Sequence, residues 1–243
     1  MDKGSTVRDM FQRIAGRYDL ANTAMSAGLD VVWRKQAAAA LALAPDARVL
    51  DVCCGTGALT REIARRVPDG SATGVDFSEN MLAVGRKHRN PDNVNYVQGD
   101  ALALPFPDAC FDAAAMGFSL RNIPDISACL REIGRVLRRG GAFVNLEIGK
   151  PGNPVIRRFF YAYFYGVLPQ VGALVGGDRA AYRYLPQSLI NFPDARSLAD
   201  LFRTSGFAQV RCIPLMGGIA NLHIGITASA PALDAPQLAV SSA

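Results

Sequence analysis

Val49-Leu50-Asp51-Val52-Cys53-Cys54-Gly55-Thr56-Gly57 is the stretch that decides the fold. A short apolar run from Ala47 to Val52 ends in a glycine turn, and residues 58–67 then read as a helix closed by Pro68-Asp69-Gly70. Such a run suits a strand buried on both faces of a parallel sheet. The glycines let the backbone approach a ligand closely. The spacing is not that of a dinucleotide fingerprint, because Cys53 stands in the place of the first glycine. Many folds contain such a turn without any ligand, so the turn alone does not assign a site.

The same alternation continues outward. Ala72 to Val75 reads as a strand ending at Asp76, and Ser78 as the N-cap of a helix reaching about His88. Val94 to Gln98 is a third strand, followed by Gly99-Asp100, and Phe111 to Met116 is a fourth. Residues 125–138 form an amphipathic helix with Ile126, Leu130, Ile133 and Leu137 on one stripe, ended by Gly140-Gly141. Ala142 to Glu147 is a fifth strand. Upstream, residues 5–43 read as helical up to Pro45-Asp46. Downstream, an aromatic-rich segment near 154–194 interrupts the alternation before a helix at 195–205 and strands at 208–214 and 219–227. The predicted class is α/β, a mostly parallel seven-stranded sheet with helices on both faces. One domain spans 1–230: a helical cap over 1–44, a core over 45–150, an inserted helical lid over 151–195 and C-terminal strands over 196–230. Residues 231–243, rich in Ala, Pro and Ser, read as a flexible tail.

The composition excludes several classes. Half of the 243 residues are apolar and 19% are charged, so the chain is neither disordered throughout nor collagen-like nor a membrane bundle. The net charge of +5 suits an anionic lipid surface better than a nucleic acid, which would call for dense basic runs. Five cysteines, no paired Cys-x-x-Cys units and only two histidines predict no metal site. Reduced thiols and a polar N-terminus without a secretory signal fit a cytoplasmic protein, peripheral at the inner face of the membrane. Phe159 to Gly176 carries no charge, but Pro169, Gln170 and its shortness argue against a membrane span.

In an open α/β sheet, ligands sit beyond the carboxyl ends of the strands. Asp51, Asp76 and Asp100 lie at three consecutive strand ends, with Asp76 about 20 residues after the glycine turn, where an acid can bind ribose hydroxyls. Like charges crowded this way call for a partner. A cationic ligand bearing an adenosine amine and ribose hydroxyls satisfies them, whereas a phosphate would be repelled. This favours S-adenosylmethionine over a nicotinamide dinucleotide.

Asp51-x-x-x-Gly55-Thr56-Gly57, Val75-Asp76, Gly99-Asp100-Ala101 and Leu104-Pro105-Phe106-Pro107-Asp108 together resemble a Rossmann-like class I S-adenosylmethionine methyltransferase. Tyr18-Asp19-x-x-Asn22, Met25-Ser26-x-Gly28, Trp33-Arg34, Phe118-x-x-Arg121-Asn122, Tyr182-Arg183-Tyr184-Leu185 and His223-x-Gly225 narrow the resemblance to the ubiquinone/menaquinone biosynthesis C-methyltransferase family, over about residues 7–226. The resemblance implies that Thr56 and the glycines Gly55 and Gly57 hold the methionine part of the cofactor, with Asp51 also among the cofactor-binding residues. Likewise it implies that Asp76 holds the ribose, Asp100-Ala101 the adenine, and Gly117 touches the cofactor through its backbone. Ala21, Asp30, Arg139 and Gly149 depart from the family's usual residues.

Methylating a ring carbon requires alignment, exclusion of water and an electron-rich ring. A hydroquinone becomes such a nucleophile once a phenol is deprotonated. Arg121 is the candidate for stabilising the phenolate, the alternative being a pairing with an acid that holds its loop. His223 is the candidate base, the alternative being a histidine bonded to backbone. Tyr18, Asn22, Asn122, Tyr163 and Tyr184 are candidate substrate contacts. Cys53 and Cys54 read as small packing residues and His88 as solvated surface. The aromatic segment from Phe159 to Tyr165, behind Arg157-Arg158, suits a greasy entry for an isoprenoid tail at a lipid surface, the alternative being a helix buried against the sheet. The leading function is C-methylation of a prenylated quinol, demethylmenaquinol first. The alternatives are a same-fold enzyme acting on a soluble metabolite and a non-catalytic cofactor-binding scaffold. A homodimer is compatible with the sequence.

Overall fold

The computed structural model describes residues 12–176 and 186–228. Helices α1 (Tyr18–Ser26) and α2 (Leu29–Ala40) precede β1 (Arg48–Val52), α3 (Ala58–Ala64), β2 (Ser71–Asp76), α4 (Glu79–Lys87) and β3 (Val94–Gln98). Then follow β4 (Phe111–Gly117), α5 (Ile126–Val136), β5 (Leu137–Ile148), α6 (Pro154–Ala162) and α7 (Leu168–Gly176). Helix α8 (Ala195–Thr204) and strands β6 (Phe207–Leu215) and β7 (Ala220–Thr227) close the described chain.

The seven strands form one sheet in the order β3-β2-β1-β4-β5-β7-β6. β1 pairs in parallel with β2 on one side and with β4 on the other, Val49 facing Ala72 and Ala113. β7 runs antiparallel to both β5 and β6. Val49, Leu50 and Val52 are buried because alternate side chains of β1 enter the layers on opposite faces. On one face Leu50, Val52, Met116 and Phe143 pack with Leu130 and Ile133 of α5 and Phe202 of α8. On the other, Val49, Ala113, Val144 and Leu146 pack with Trp33 and Ala37 of α2 and Ile63 of α3. Phe143 stacks on Phe202 at 5.4 Å between centroids, an arrangement that adds about 0.5–1.5 kcal/mol to simple burial. The helix starts follow from their caps. Asp125 accepts the Ala128 N–H at 2.8 Å, and Asn153 accepts the Val155 N–H at 2.9 Å just ahead of Pro154.

The structure differs from the sequence-based elements in two places. The helix expected over 5–43 is, in its described part, broken into pieces: a 3-10 turn over Ala15–Arg17 precedes α1, and Ala27 and Gly28 turn the chain between α1 and α2 with φ of 50° and 82°. Gly140-Gly141 does not end a helix. α5 stops at Val136, Leu137 is already extended, and the pair sits inside β5, where the register against β4 shifts between Phe111 and Ala113.

In its described part the inserted segment carries α6 and α7. Tyr163–Val167 between α6 and α7 forms a wider π-helical turn. Pro169 explains its place: proline lacks an N–H and crowds the carbonyl four residues back, here that of Tyr165, and the wide turn relieves both. α7 packs on α1, and the Tyr163 hydroxyl donates to the Met25 carbonyl at 2.7 Å. Cap and insert thus meet above the carboxyl ends of the strands. Among the described residues no helix is long and apolar enough to cross a membrane.

Candidate active site

β1 and β4 are neighbours whose connections diverge, so the sheet has its topological switch point between them. Cys53 and Phe118 follow these strands with φ of 55° and 59°. Left-handed backbone is uncommon for residues with side chains and concentrates where a chain turns around a ligand. The Ser119 hydroxyl ties the two turns together by donating to the Cys53 carbonyl at 3.3 Å. A cavity of about 630 Å³ opens here, a size that holds a small ligand. Asp51, Gly55, Thr56, Asp76, Asp100 and Gly117 all line it.

The carboxylates differ in environment. Asp51 is 1% exposed, and its Oδ2 accepts the Thr60 hydroxyl at 2.6 Å. Its Oδ1 has no hydrogen-bond partner among the described residues. Burial raises its pKa to about 7 against the Thr60 hydrogen bond. Asp76 accepts the Gly55 and Ser78 N–H groups, both at 2.9 Å. Burial raises it to about 6 against those bonds. Asp100 is exposed and accepts the Leu102 N–H at 2.9 Å. This donor set fits S-adenosylmethionine: a buried, half-satisfied carboxylate suits an ammonium group or a hydroxyl, and the cavity wall offers no cluster of cations for a phosphate.

Two expected cofactor residues stand apart from the wall. Ala101 is buried in the core beside Asp100. Gly57 serves the turn rather than the cavity: its φ is +78°, and a Cβ there would lie 1.9 Å from the Tyr96 hydroxyl. The Thr56 hydroxyl donates to Asp19 Oδ1 at 2.6 Å, joining the glycine turn to α1. His88, read as surface, is exposed, with Nε2 3.5 Å from Asp19 Oδ2.

A second cavity of about 710 Å³ lies between α1, α2 and α6. Its wall is mostly apolar, with Met25, Trp33, Phe118, Phe160 and Phe164 prominent. Val155 and Phe159 stand at its rim, 64% and 72% exposed, beside the exposed Arg157 and Arg158. Asn22 and Tyr163 line this cavity, whereas Asn122 lines the first. Tyr184 lies outside the described residues. Tyr18 and Arg34 line both cavities, so the two spaces adjoin at these side chains. Burial raises the Tyr18 phenol, opposed by a hydrogen bond with Asn22 and by the charges of Arg121 and Arg34.

Arg121 lines the second cavity but is strongly anchored. It ion-pairs with Glu147, its Nη1 donates to the Phe118 carbonyl at 2.7 Å, and its Nε donates to Ser188 Oγ at 3.2 Å. With Glu147 1% exposed, the pair is buried and holds the 117–122 loop. The expected proton abstraction by His223 is corrected. His223 lines neither cavity, is 2% exposed, and its Nε2 lies 2.8 Å from the Ala195 carbonyl. Its ring packs on Phe202, 5.9 Å between centroids. It is a structural histidine joining β7 to α8. Sequence reasoning missed Asp19, Ser26, Asp30 and Arg34 as members of the walls. The signal for the last two was their i,i+4 spacing on α2, where they ion-pair.

The family model described as the ubiE/COQ5 methyltransferase family matches residues 1–227. Demethylmenaquinone methyltransferase of Staphylococcus saprophyticus is 41% identical over 225 residues, covering 92% of this chain and 97% of that protein. The protein of the same name from Staphylococcus aureus strain JH9 is 42% identical over 221 residues, covering 90% and 92%. Among solved structures, the [4+2]-cyclase SpnF superposes with a TM-score of 0.67 at 19% identity, covering 93% of this chain and 97% of its own. An S-adenosylmethionine-dependent methyltransferase from Thermotoga maritima gives 0.62 at 20% identity, covering 90% and 98%. At these identities the likeness to the two structures concerns the fold alone.

Proposed function

Because the chain belongs to the ubiE/COQ5 methyltransferase family, and is therefore a methyltransferase, we propose that it transfers the methyl group of S-adenosylmethionine to a ring carbon of a prenylated quinol, with demethylmenaquinol becoming menaquinol. The observation that carries this reading is the pair of cavities sharing Tyr18 and Arg34. One is acidic and sized for the cofactor, the other apolar and open at an aromatic rim.

S-adenosylmethionine supplies an electrophilic methyl group to the first cavity. Asp51 and Asp76 would bind its ammonium and ribose hydroxyls, and Asp100 its adenine amine. Thr56 and Asp19 hold the cap against the glycine turn, which excludes water. The second cavity would take the ring against Tyr18, Asn22 and Phe118 and the first part of the tail against Phe160 and Phe164. Arg121 and Glu147 keep the loop after β4 in register with both. The rim, with Phe159 beside Arg157 and Arg158, would lie against an anionic lipid leaflet from which the acceptor enters.

The test is a comparison of kcat/KM for demethylmenaquinol and for the same ring without its tail. Each buried methylene stabilises binding by about 0.8 kcal/mol. A single isoprene unit in the apolar cavity should therefore favour the prenylated acceptor by tenfold or more. Equal kcat/KM values would support a soluble metabolite as the natural acceptor instead.

A further inference from the structure

An ionised phenol in an apolar cavity needs a cation, because a buried charge without a partner is strongly disfavoured. Among the described residues the second cavity offers two guanidinium groups, Arg34 and Arg121. They are placed differently. Arg121 touches only the second cavity, is paired with Glu147, and is committed at Nη1 and Nε to Phe118 and Ser188. Arg34 touches both cavities, and its hydrogen bond runs from Nη1 to Asp30. Its planar group lies over the Phe118 ring, 5.4 Å from the centroid. Its charge reaches both Asp51, in the wall of the first cavity, and Tyr18, at the boundary between the two.

The support for Arg34 is itself well built. Asp30 is 4% exposed, its Oδ1 accepts the Ser26 hydroxyl at 2.9 Å, and its own N–H donates to the same hydroxyl at 3.2 Å. Gly28, with φ of 82°, precedes the helix that carries both Asp30 and Arg34. A guanidinium held on one edge and stacked on one face presents its remaining donors in a fixed direction.

We propose that Arg34 is the catalytic residue that binds the ring oxygen of the methyl acceptor and stabilises it as a phenolate, and that Asp30 is its positioning residue. This rests on the reading of the acceptor as a ring hydroxyl compound. The phenolic proton leaves to water. The ring's electron pair forms the new carbon–carbon bond to the methyl group as the carbon–sulfur bond breaks, its pair staying on sulfur. The proton on the methylated carbon then leaves to water, the ring oxygen takes a proton back from water as aromaticity returns, and one proton is released overall. Arg34 carries no proton in this sequence; it lowers the energy of the negative oxygen. Arg121 remains the brace of the neighbouring loop.

The probe is 2-hydroxy-1,4-naphthoquinone, an anion at neutral pH, with uncharged 1,4-naphthoquinone as control. Both are titrated calorimetrically into the full chain with S-adenosylhomocysteine filling the first cavity. Arg34→Met should weaken the anion by tenfold or more. It should leave the uncharged control within about threefold, with S-adenosylhomocysteine kept saturating for every variant. Arg34→Lys should recover part of the loss, and Asp30→Asn should weaken the anion selectively. The double variant Asp30→Asn/Arg34→Met leaves no buried charge unpaired, so it keeps the test valid if Arg34→Met alone misfolds. It should be no weaker for the anion than Arg34→Met, as coupled residues require. Anion binding unchanged in the double variant, or equal loss of anion and control, overturns the assignment. Selective loss of the anion in Arg121→Met with none in Arg34→Met transfers the role to Arg121. Wild-type protein that binds S-adenosylhomocysteine but neither naphthoquinone overturns the acceptor reading together with this assignment.

Discussion

Lowering the pH from 7.5 to 5.5 is expected to weaken S-adenosylhomocysteine binding by about 10- to 100-fold, with protons released on binding. Burial holds the Asp51 carboxyl at about 7 and Asp76 at about 6, against a usual 3.8. With those values Asp51 goes from roughly three-quarters ionised at the upper pH to a few per cent at the lower, and Asp76 from nearly all to about a quarter. If the ligand requires Asp51 alone the loss is about 25-fold, and if it requires both about 100-fold. The same values fix the sign for stability. A carboxyl raised on folding binds more protons in the folded state between the two pKa values, so stability falls as pH rises through that window. For Asp51, from 3.8 to about 7, this amounts to roughly 4 kcal/mol of opposed ionisation, fully present above the upper value. For Asp76, from 3.8 to about 6, it is roughly 3 kcal/mol. A cationic ligand relieves the penalty, so the rise in Tm on saturation should grow from pH 5.5 to 7.5. Calorimetry in two buffers of different ionisation enthalpy counts the protons, and about one per ligand is expected near pH 6.5. Asp51→Asn should flatten the affinity profile. An affinity constant within twofold across this range, with no proton exchanged, would refute the placing of the ligand against these carboxylates.

His223→Asn should cost about 1–2 kcal/mol of stability through the lost contact with Ala195 and Phe202, and leave ligand affinity unchanged. Burial holds this imidazole below its usual pKa, so wild type loses the contribution as pH falls below about 6.5 and the variant does not. Gly57→Ala places a Cβ against the Tyr96 hydroxyl on a left-handed backbone and should lower the Tm by several degrees, readable by calorimetry. Phe159→Ser, at an exposed rim position, should keep the Tm and reduce partition onto anionic vesicles, which added salt should weaken in the wild type. Equal partition onto neutral and anionic vesicles would count against an electrostatic contribution.

The three acids of the first cavity were legible because each lies at the end of a recognisable strand, and parallel strands deliver their carboxyl ends to one edge. Asp51, Asp76 and Asp100 therefore meet without any knowledge of tertiary packing. Arg34 and Asp30 were not legible in this way. They ride on a cap helix whose position depends on the turn at Ala27-Gly28 and on packing of Trp33 against the sheet. His223 misled by its chemistry: a histidine in a predicted strand says nothing of the aromatic layer of α8 that covers it. Gly140-Gly141 misled for a similar reason, since glycine ends helices but also occupies irregular strand positions. The second cavity could be anticipated only in character. The aromatic run from Phe159 marked a greasy surface, but the contact of Tyr163 with Met25, which brings insert and cap together, spans 138 residues.

The most direct measurement uses S-adenosylmethionine carrying a trideuterated methyl group, reduced demethylmenaquinone in vesicles and the purified full chain. The quinone product, analysed by mass spectrometry with fragmentation, should gain one trideuterated methyl on a ring carbon, and Asp51→Asn should strongly reduce its formation. No transfer to the quinol by well-folded protein that binds the cofactor, or transfer to an oxygen instead of a ring carbon, would contradict C-methylation of a prenylated quinol.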